Sequence, residues 1–417
     1  MNRKTAIFNK KGRCGQSFLL GNRMLFALVL AAALRTAAGA ETFEFKFATG
    51  NKYRILSVVE EDVLLNQRLS HRARILNRIS VEITDAEAEA ARHNAVFSTS
   101  ELVSGGGAAF QWGREYKSTY ERDKLGYITI SPEYYMPVVR NVPVFTGKDV
   151  KEGDSWSAPG YEMHDFRDDF GIDQPYRIPF EAQYVFLGPR EWKEKSYPAF
   201  SASYKIFYEP APVRGRIWPK RIMGASDQLV YWDIEIGQAV AYEESFSMVF
   251  ELSDGRTVEY RGRAEAEIIE AEIMKKEEMA RSIAGEIAEL GITGTSVRIV
   301  DEGITINLEN IQFQPESALL LESEKAKLDK IGEILKQFAD RDILVGGHTA
   351  LAGTATGRMK LSQDRAASVA NYLISRDVRD ASRIIVRGYG AEKPIADNST
   401  IEGMRQNRRV EITLLEN

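Results

Sequence analysis

The chain has 417 residues, of which 44% are hydrophobic, 28% charged and 10% aromatic. This composition excludes a disordered chain, and the length exceeds what one hydrophobic core usually supports, so two or three domains are expected. The formal net charge of −5 argues against nucleic acid as the main partner, because phosphate contacts need clustered lysine and arginine.

The first 40 residues have the pattern of an export signal. A basic stretch without acidic residues precedes the apolar run Met24–Leu34, and Ala38-Gly39-Ala40 is a small-residue cleavage site. The run has 11 residues, whereas a membrane-spanning helix needs ~20. We therefore expect a signal peptide over residues 1–40 and no transmembrane helix after its cleavage. A retained signal anchor, favoured by Arg35, and a translation start at Met24 are the alternatives.

Cys14 is the only cysteine of the chain, and it precedes the apolar run. Cleavage would therefore leave a protein without disulfides, without a thiol nucleophile and without a cysteine metal site. It would also remove seven of the 55 basic residues and none of the 60 acidic ones. The exported protein is thus expected to be more acidic than the full chain.

Residues 41–262 are rich in runs typical of antiparallel β-strands. The pair Asp254-Gly255 separates Ser245–Leu252 from Thr257–Arg261, which predicts a hairpin because glycine tolerates the positive φ that the turn requires. Prolines within Pro137–Val144 interrupt strand pairing. A boundary near residue 130 would divide this region into two β domains, and a single β domain is the alternative.

From Ala264 the composition shifts toward Glu, Ala, Lys, Ile and Met. This shift predicts a helix from Ala264 to Leu290, ended by Gly291. We assign residues 263–290 to a helical connector. Three clean heptads are lacking, so a connector packed on its neighbours is preferred to a coiled-coil partner site.

Residues 291–417 have a mixed helix and strand pattern. A hairpin is predicted around Asp301-Glu302-Gly303, and two helices are expected, one opened by Pro315 and one over Leu361–Ser375. Two helices on one face of a small mixed sheet form an α+β sandwich. The chain as a whole is thus predicted to be multidomain, with a β-rich antiparallel N-terminal region followed by this sandwich. Further strands are predicted at Asp342–Val345, Ile384–Arg387 and Arg409–Leu414.

Short motifs in this region share the spacing of a known family. They are Gly347-His348-Thr349, Leu361-Ser362, Arg365-Ala366, Gly388-Tyr389-Gly390 and Asn407-Arg408-Arg409. Together they resemble the core signature of the OmpA C-terminal, MotB-like family, over roughly residues 280–417. The resemblance implies non-covalent attachment to peptidoglycan through the diamino acid of its stem peptide.

The resemblance also implies a binding site. A zwitterionic amino-acid end needs a cation for its carboxylate and an anion for its ammonium group. The family's carboxylate clamp corresponds to Arg365, and a second arginine of the family pocket corresponds to Arg408. Thr349, Asn407 and Glu316 complete the implied ligand-binding set. The alternative for Arg365 is a surface helix residue paired with a neighbouring acid.

Two positions of the pocket depart from the family pattern. The acidic residue that follows Gly-His-Thr in the family is Ala350 here, and the asparagine three residues before Leu-Ser is Arg358. Loss of one partner of a charged contact typically costs on the order of 2–5 kcal/mol. Peptidoglycan binding is therefore expected to be weakened, altered or lost, with Glu316 as a candidate replacement for the missing carboxylate.

The sequence favours a binding protein over an enzyme. Serine nucleophile elbows, Walker loops and His-Glu-x-x-His are absent from it. The run around Glu162, His164 and Asp168 is explained by a polar loop, so neither a metal nor a cofactor is predicted.

The predicted function is that of a non-enzymatic cell-envelope protein that associates with peptidoglycan. Its expected location is the periplasm, and association with the outer membrane is a further candidate. One alternative is a scaffold that binds other envelope proteins and not peptidoglycan. A second alternative is a β domain that carries a lipid or a small apolar ligand.

Overall fold

The computed structural model describes residues 40–102, 108–270, 274–309, 311, 313 and 317–416. The predicted export signal, including Cys14, and Glu316 lie outside these residues. Residues 38–417 belong to one compact unit. Within the described ranges, no helix combines the length and the hydropathy that crossing a bilayer requires.

Twelve antiparallel strands and the short helix α1 make up the N-terminal part. Their bounds are β1 Lys52–Leu65, β2 Arg68–Ala86, β3 Ala90–Glu101, β4 Phe110–Asp123, β5 Ile128–Ile130, β6 Val139–Arg140, β7 Ser155–His164, α1 Arg167–Phe170, β8 Tyr176–Trp192, β9 Lys195–Tyr208, β10 Pro219–Asp233, β11 Gln238–Leu252 and β12 Thr257–Glu270.

These strands form one continuous sheet in the order β5-β4-β3-β2-β1-β12-β11-β10-β9-β8-β7-β6. The first strand pairs with the last, from Tyr53 to Leu65 of β1. The hairpin predicted at Asp254-Gly255 is confirmed, with Gly255 at φ 88°. The boundary expected near residue 130 stays a prediction, and segment 131–154, which contains β6, links β5 at one edge of the sheet to β7 beside the other edge.

Aromatic side chains fill much of the core of this sheet. Phe43, which precedes β1, packs on Phe145, Phe186 and Phe200 with ring centroids 5.1–5.5 Å apart. Segment 131–154 contributes Phe145, which also contacts Trp232 at 4.8 Å. The crossing segment is therefore part of the folded core.

The helix predicted from Ala264 is wrong over its first part. These residues belong to β12, which pairs with β1 on one side and with β11 on the other. Ala264 and Ala266 are buried while Glu265 is exposed, a period of two. Two hydrogen-bonded ladders outweigh the helix propensity of alanine and glutamate here. The helix α2 spans Lys276–Glu289, so the helical part of the connector is shorter than predicted.

The C-terminal part is the predicted α+β domain. Its sheet has the order β13-β14-β17-β15-β16, in which only β15 and β16 are parallel. One hydrophobic core joins this sheet to α2, α3 and α4. The elements are β13 Thr295–Val300, β14 Gly303–Glu309, α3 Glu322–Lys336, β15 Ile343–Gly347, α4 Ala355–Ser375, β16 Ile384–Gly388, α5 Ile401–Asn407 and β17 Arg409–Leu415, with a 3-10 turn at Ala381–Arg383.

The predicted hairpin and all predicted strands of this domain are confirmed. The two predicted helices are also present, but each begins at a different residue from the one predicted. The helix expected to open at Pro315 is observed from Glu322, and Pro315 lies outside the described residues. The second helix begins six residues earlier than Leu361, at Ala355, where Thr354 caps it by accepting a hydrogen bond from the Gly357 amide.

The two parts of the protein share a sheet edge. Phe110 and Gln111 of β4 pair in parallel with Ile385 and Val386 of β16. Just ahead of β4, the amides of residues 108 and 109 donate to Oδ1 of Asn371 on α4 at 2.9 and 3.3 Å. The N-terminal part thereby covers backbone groups of β16 that would otherwise lie at an edge.

Candidate functional site

The motif residues converge where β15 and β16 end. Since these two strands are parallel, their carboxyl ends meet at the same edge of the sheet, and the segments that follow them are adjacent. The amide of Thr349 donates to the carbonyl of Gly390 at 2.8 Å, and the amide of Tyr389 donates to the carbonyl of Gly347 at 2.9 Å.

Glycine at the end of β15 lets α4 approach the sheet closely. A Cβ atom on Gly347 would lie 2.0 Å from the carbonyl oxygen of Ser362. Ser362 is fully buried, and its Oγ donates to the carbonyl of Met359 at 2.8 Å and accepts from the amide of Gly390 at 2.9 Å. These contacts fix the part of α4 that carries Arg365.

Arg365 and Arg408 form the positively charged part of the site. Nε of Arg365 is buried without a hydrogen-bond partner. Burial lowers the pKa of the Arg365 guanidinium, and the nearby charge of Arg408 lowers this pKa further. Neither arginine has an ion pair with another described residue, so the alternative of Arg365 paired with a neighbouring acid is not observed there.

Phe313 contributes a surface that sequence reasoning missed. The guanidinium carbon of Arg365 lies 4.9 Å from the centroid of the Phe313 ring. An aromatic face supports a guanidinium while leaving its N–H groups in the ring plane available to an acceptor. Phe313 precedes Arg365 by more than 50 residues, and no local spacing links the two.

Thr349 and Ala350 lie just after the end of β15. Thr349 is 7% exposed, and its Oγ1 is buried without a hydrogen-bond partner. Ala350, which is predicted to replace an acid of the family pattern, is buried as well. The other divergent residue, Arg358, turns back to the start of its helix and donates from Nη1 to the carbonyl of Gly353.

Asn407 holds the loop that follows β16. Its Oδ1 accepts from the amides of Ile395 and Ala396 at 2.8 and 3.0 Å. Its Nδ2 donates to the Ala396 carbonyl at 2.8 Å and to Oδ1 of Asn398 at 3.0 Å. These four bonds use the full capacity of the amide. A ligand contact at Asn407 stays a prediction, and it would have to replace one of them.

His348 lies beneath the site, in the core. It is 2% exposed and stacks on Tyr389 with ring centroids 4.8 Å apart, while Nε2 is 3.4 Å from Oε2 of Glu411. Burial lowers the pKa of His348. Burial acts to raise the pKa of Glu411, but the contacts with His348 and Arg409 outweigh it and bring this pKa to about 2.

The polar run in the β region is a hydrogen-bonded cluster. Oε2 of Glu162 lies 2.6 Å from Nε2 of His164, and the hydroxyl of Tyr204 donates to the other oxygen of Glu162 at 2.8 Å. No group of three or more histidine, cysteine, aspartate or glutamate side chains suited to a metal ion is found among the described residues.

Comparison with known families finds a match for the segment that contains β15, β16 and the motif residues. The OmpA family model matches residues 312–408. The C-terminal third of this chain carries an OmpA family domain. The resemblance predicted from the motifs is therefore confirmed, and the matched residues include Arg365, Arg408, Ala350 and Arg358.

Relatives of the OmpA domain are found in several bacteria. The probable lipoprotein YiaD of Escherichia coli K12 is 44% identical over 123 residues, which cover 29% of this chain and 56% of YiaD. The peptidoglycan-binding protein ArfA of Mycobacterium tuberculosis H37Rv is 36% identical over 104 residues, which cover 25% of this chain and 32% of ArfA. The chain thus spans between about a third and just over half the length of these curated relatives.

A solved structure of the cell wall anchor of the T6SS from Pseudomonas aeruginosa is also similar. It is 28% identical, with a TM-score of 0.29, over 34% of this chain and 99% of that one.

Proposed function

We propose that the OmpA domain attaches this chain non-covalently to peptidoglycan, with Arg365 and Arg408 binding a carboxylate of the stem peptide. The observation that carries the proposal is the Arg365 guanidinium. It is supported by Phe313, has a buried Nε without a partner and has a second cation beside it. A planar guanidinium is suited to bidentate binding of a carboxylate.

The proposed pocket has charged side chains for only one of the two charged groups of the ligand. Its cationic half is present, while the residue that would face the ligand's ammonium group is Ala350. We expect binding to be weaker than in a domain with an acid at this position, because the ammonium group would lose its charged partner on leaving water. Thr349 Oγ1, buried and without a partner, is the polar group that remains beside Ala350.

In this proposal the chain is a non-enzymatic protein of the cell envelope, located in the periplasm. The export pattern of residues 1–40 supports the location, and the names of the relatives support the envelope role. The second candidate is a scaffold that binds other envelope proteins through the same fold. The replacement of the family's acid by Ala350 favours it, and the experiment below separates the two functions.

The test is co-sedimentation of the chain with purified sacculi, with the peptidoglycan-binding protein ArfA as the positive control. Ala350→Asp should raise the affinity about 30-fold or more if restoring the charge recovers the contact. Arg365→Ala should lower affinity about 10-fold or more. Arg376→Ala is the matched control, since Arg376 lies just past α4 and pairs with Asp329 at its surface, and it should change nothing. If ArfA sediments while neither wild type nor Ala350→Asp does, the proposal is wrong and the scaffold function takes its place.

A further inference from the structure

The N-terminal sheet borders a partly open cavity, and none of the described residues that line it belongs to the OmpA domain. Its volume is about 400 Å³, within the range of small-molecule sites. Apolar side chains from both halves of the sheet line it, among them Ile55, Ile79, Phe97 and Val230. Segment 131–154 closes it on one side with residues 136–139, 142 and 143.

The cavity exists because the sheet curls. Strand β2 is separated from β10 by β1, β12 and β11, which would place the two about 19 Å apart in a flat sheet with ordinary strand spacing. Ile79 of β2 and Val230 of β10 nevertheless line the same space. The concave face therefore surrounds the cavity, as in β folds that hold one small ligand inside.

One end of the cavity carries two N–H donors without acceptors. Trp232 is 1% exposed, and its indole Nε1 has no hydrogen-bond partner. Nε of Arg122 is buried and likewise without a partner. Both side chains pack on Phe45, since the Arg122 guanidinium carbon lies 4.7 Å from its ring centroid and the Trp232 ring lies 5.0 Å from it. The two side chains therefore share Phe45 as a contact at this end of the cavity.

Arg122 is the cation of this cavity. It forms no ion pair with any residue in the described part of the chain, and an uncompensated charge in a partly buried place is costly. His93 lines the same end, but burial lowers its pKa to about 3, with the charge of Arg122 adding to the effect, so it is neutral at physiological pH. Glu244, on the far side, is largely desolvated, which raises its pKa, and it is hydrogen-bonded to Ser226 at 2.6 Å.

A second cavity adjoins the first and lengthens the space. It has a volume of about 300 Å³ and shares Val138, Val139 and Glu244 with the first cavity. Phe246 and Phe250 continue its apolar wall. Together the two cavities suit an extended chain better than a compact ring.

We propose that the N-terminal β domain binds a single-chain amphiphile with an anionic head. The head accepts hydrogen bonds from Arg122 and Trp232, and the apolar chain lies between Ile79 and Val230 and extends past Val138 and Val139. A fatty acid and a lysophosphatidic acid both have this chemistry. The site is separate from the proposed peptidoglycan site, so either can fail without the other.

The test uses cis-parinaric acid, a fluorescent C18 carboxylate, titrated into the full chain in detergent-free buffer. We expect saturable binding of one molecule per chain with energy transfer from tryptophan. The methyl ester of the same probe should bind about tenfold more weakly or worse, because it lacks the charge that Arg122 would neutralise. Displacement by palmitate or by lysophosphatidic acid identifies which head group the site prefers.

Matched variants assign the effect to the cavity. Arg122→Gln should remove the preference for the acid over the ester, and Arg122→Lys should retain most of it. Arg92→Gln changes an exposed arginine of the neighbouring strand and should leave both affinities unchanged. Val230→Phe, with its melting temperature measured to confirm folding, should weaken acid and ester alike.

The proposal is overturned if binding is not saturable. It is equally overturned if acid and ester bind alike, or if Arg122→Gln and Arg92→Gln behave the same. Because both variants retain residues 1–40, binding of the probe by those residues would be equal in the two. It therefore cannot cause a difference between them.

Discussion

Arg78, on β2 of the N-terminal sheet, donates from Nε to Oδ2 of Asp342 at 2.9 Å, directly ahead of β15 in the OmpA domain. Both side chains are buried, and Arg54 and Arg383 also contact the same carboxylate, at 3.5 and 2.8 Å. Burial acts against the charge of Asp342, but Arg78 and Arg54 hold its pKa below the ordinary value. The domains therefore meet at the amino end of β15, while the proposed peptidoglycan site lies at its carboxyl end.

Asp342→Asn is expected to destabilise the protein by about 3–5 kcal/mol, since removing one partner leaves buried guanidinium groups without a counter-charge. Denaturant unfolding measures this change. Asp364→Asn is the matched control, because Asp364 pairs with Lys360 at the surface, where both side chains are exposed, and such a change should cost less than ~1 kcal/mol. Equal effects of the two substitutions would contradict a buried junction.

Stability should fall on acidification because of His93. Its folded pKa of about 3 is below the ordinary value of 6.5, so the unfolded chain binds the proton more readily and stability is lost as pH falls below 6.5. Between pH 7.5 and 5 this one group should cost ~2 kcal/mol. We expect His93→Phe, which keeps an aromatic ring on Tyr120, to reduce the pH dependence of the unfolding free energy by that amount. An unchanged pH profile would show that His93 is accessible to protons in the folded state.

The elements that could be predicted from the sequence are those with a local pattern. The hairpin around Asp301-Glu302-Gly303 and the strand Ile384–Gly388 are short, apolar and bounded by turn residues, and both are present. The Ala264 segment could not be assigned locally, because alanine and glutamate favour a helix and only pairing with β1 makes it a strand. Pairing of Phe110 with Ile385 joins residues 275 apart, and no local signal indicates it.

In the candidate site, too, residues within a sequence motif could be predicted, whereas contacts that depend on the tertiary fold could not. Arg365 and Arg408 were placed by motif spacing, and the structure brings their charges together. The contact of Phe313 with Arg365 could not be predicted, since the two residues are far apart in the sequence and no local pattern links them. The bonding of Asn407 was also hidden, because its partners lie in a loop without a regular pattern.

Asn407→Ala tests whether this residue supports the loop. Two partly buried amides of that loop, those of Ile395 and Ala396, would lose their acceptor, and we expect a loss of about 1–3 kcal/mol in unfolding free energy. Gln406→Ala is a neighbouring control, because its amide makes one exposed hydrogen bond to Glu402, at 3.3 Å. If Asn407→Ala reduced binding to sacculi without changing stability, a direct ligand contact would be favoured.

Two Gly→Ala substitutions should act in opposite directions. Gly285 lies inside α2, and an added Cβ would meet nothing within 4 Å. Gly285→Ala is therefore expected to stabilise the protein by about 0.5–1 kcal/mol, because alanine has the higher helix propensity. On Gly347 the Cβ would lie 2.0 Å from the Ser362 carbonyl oxygen and 3.3 Å from Cβ of Ala366.

Gly347→Ala must therefore displace α4 from the sheet. Overpacking of this kind typically costs about 1–3 kcal/mol, and the closeness of a backbone atom places this site at the upper end. Since α4 carries Arg365, the displacement should also weaken sedimentation with sacculi, whereas Gly285→Ala should leave it unchanged. Thermal unfolding and co-sedimentation of both variants measure the two effects. A Gly347→Ala variant with unaltered stability would mean that the contact between β15 and α4 is looser than the structure has it.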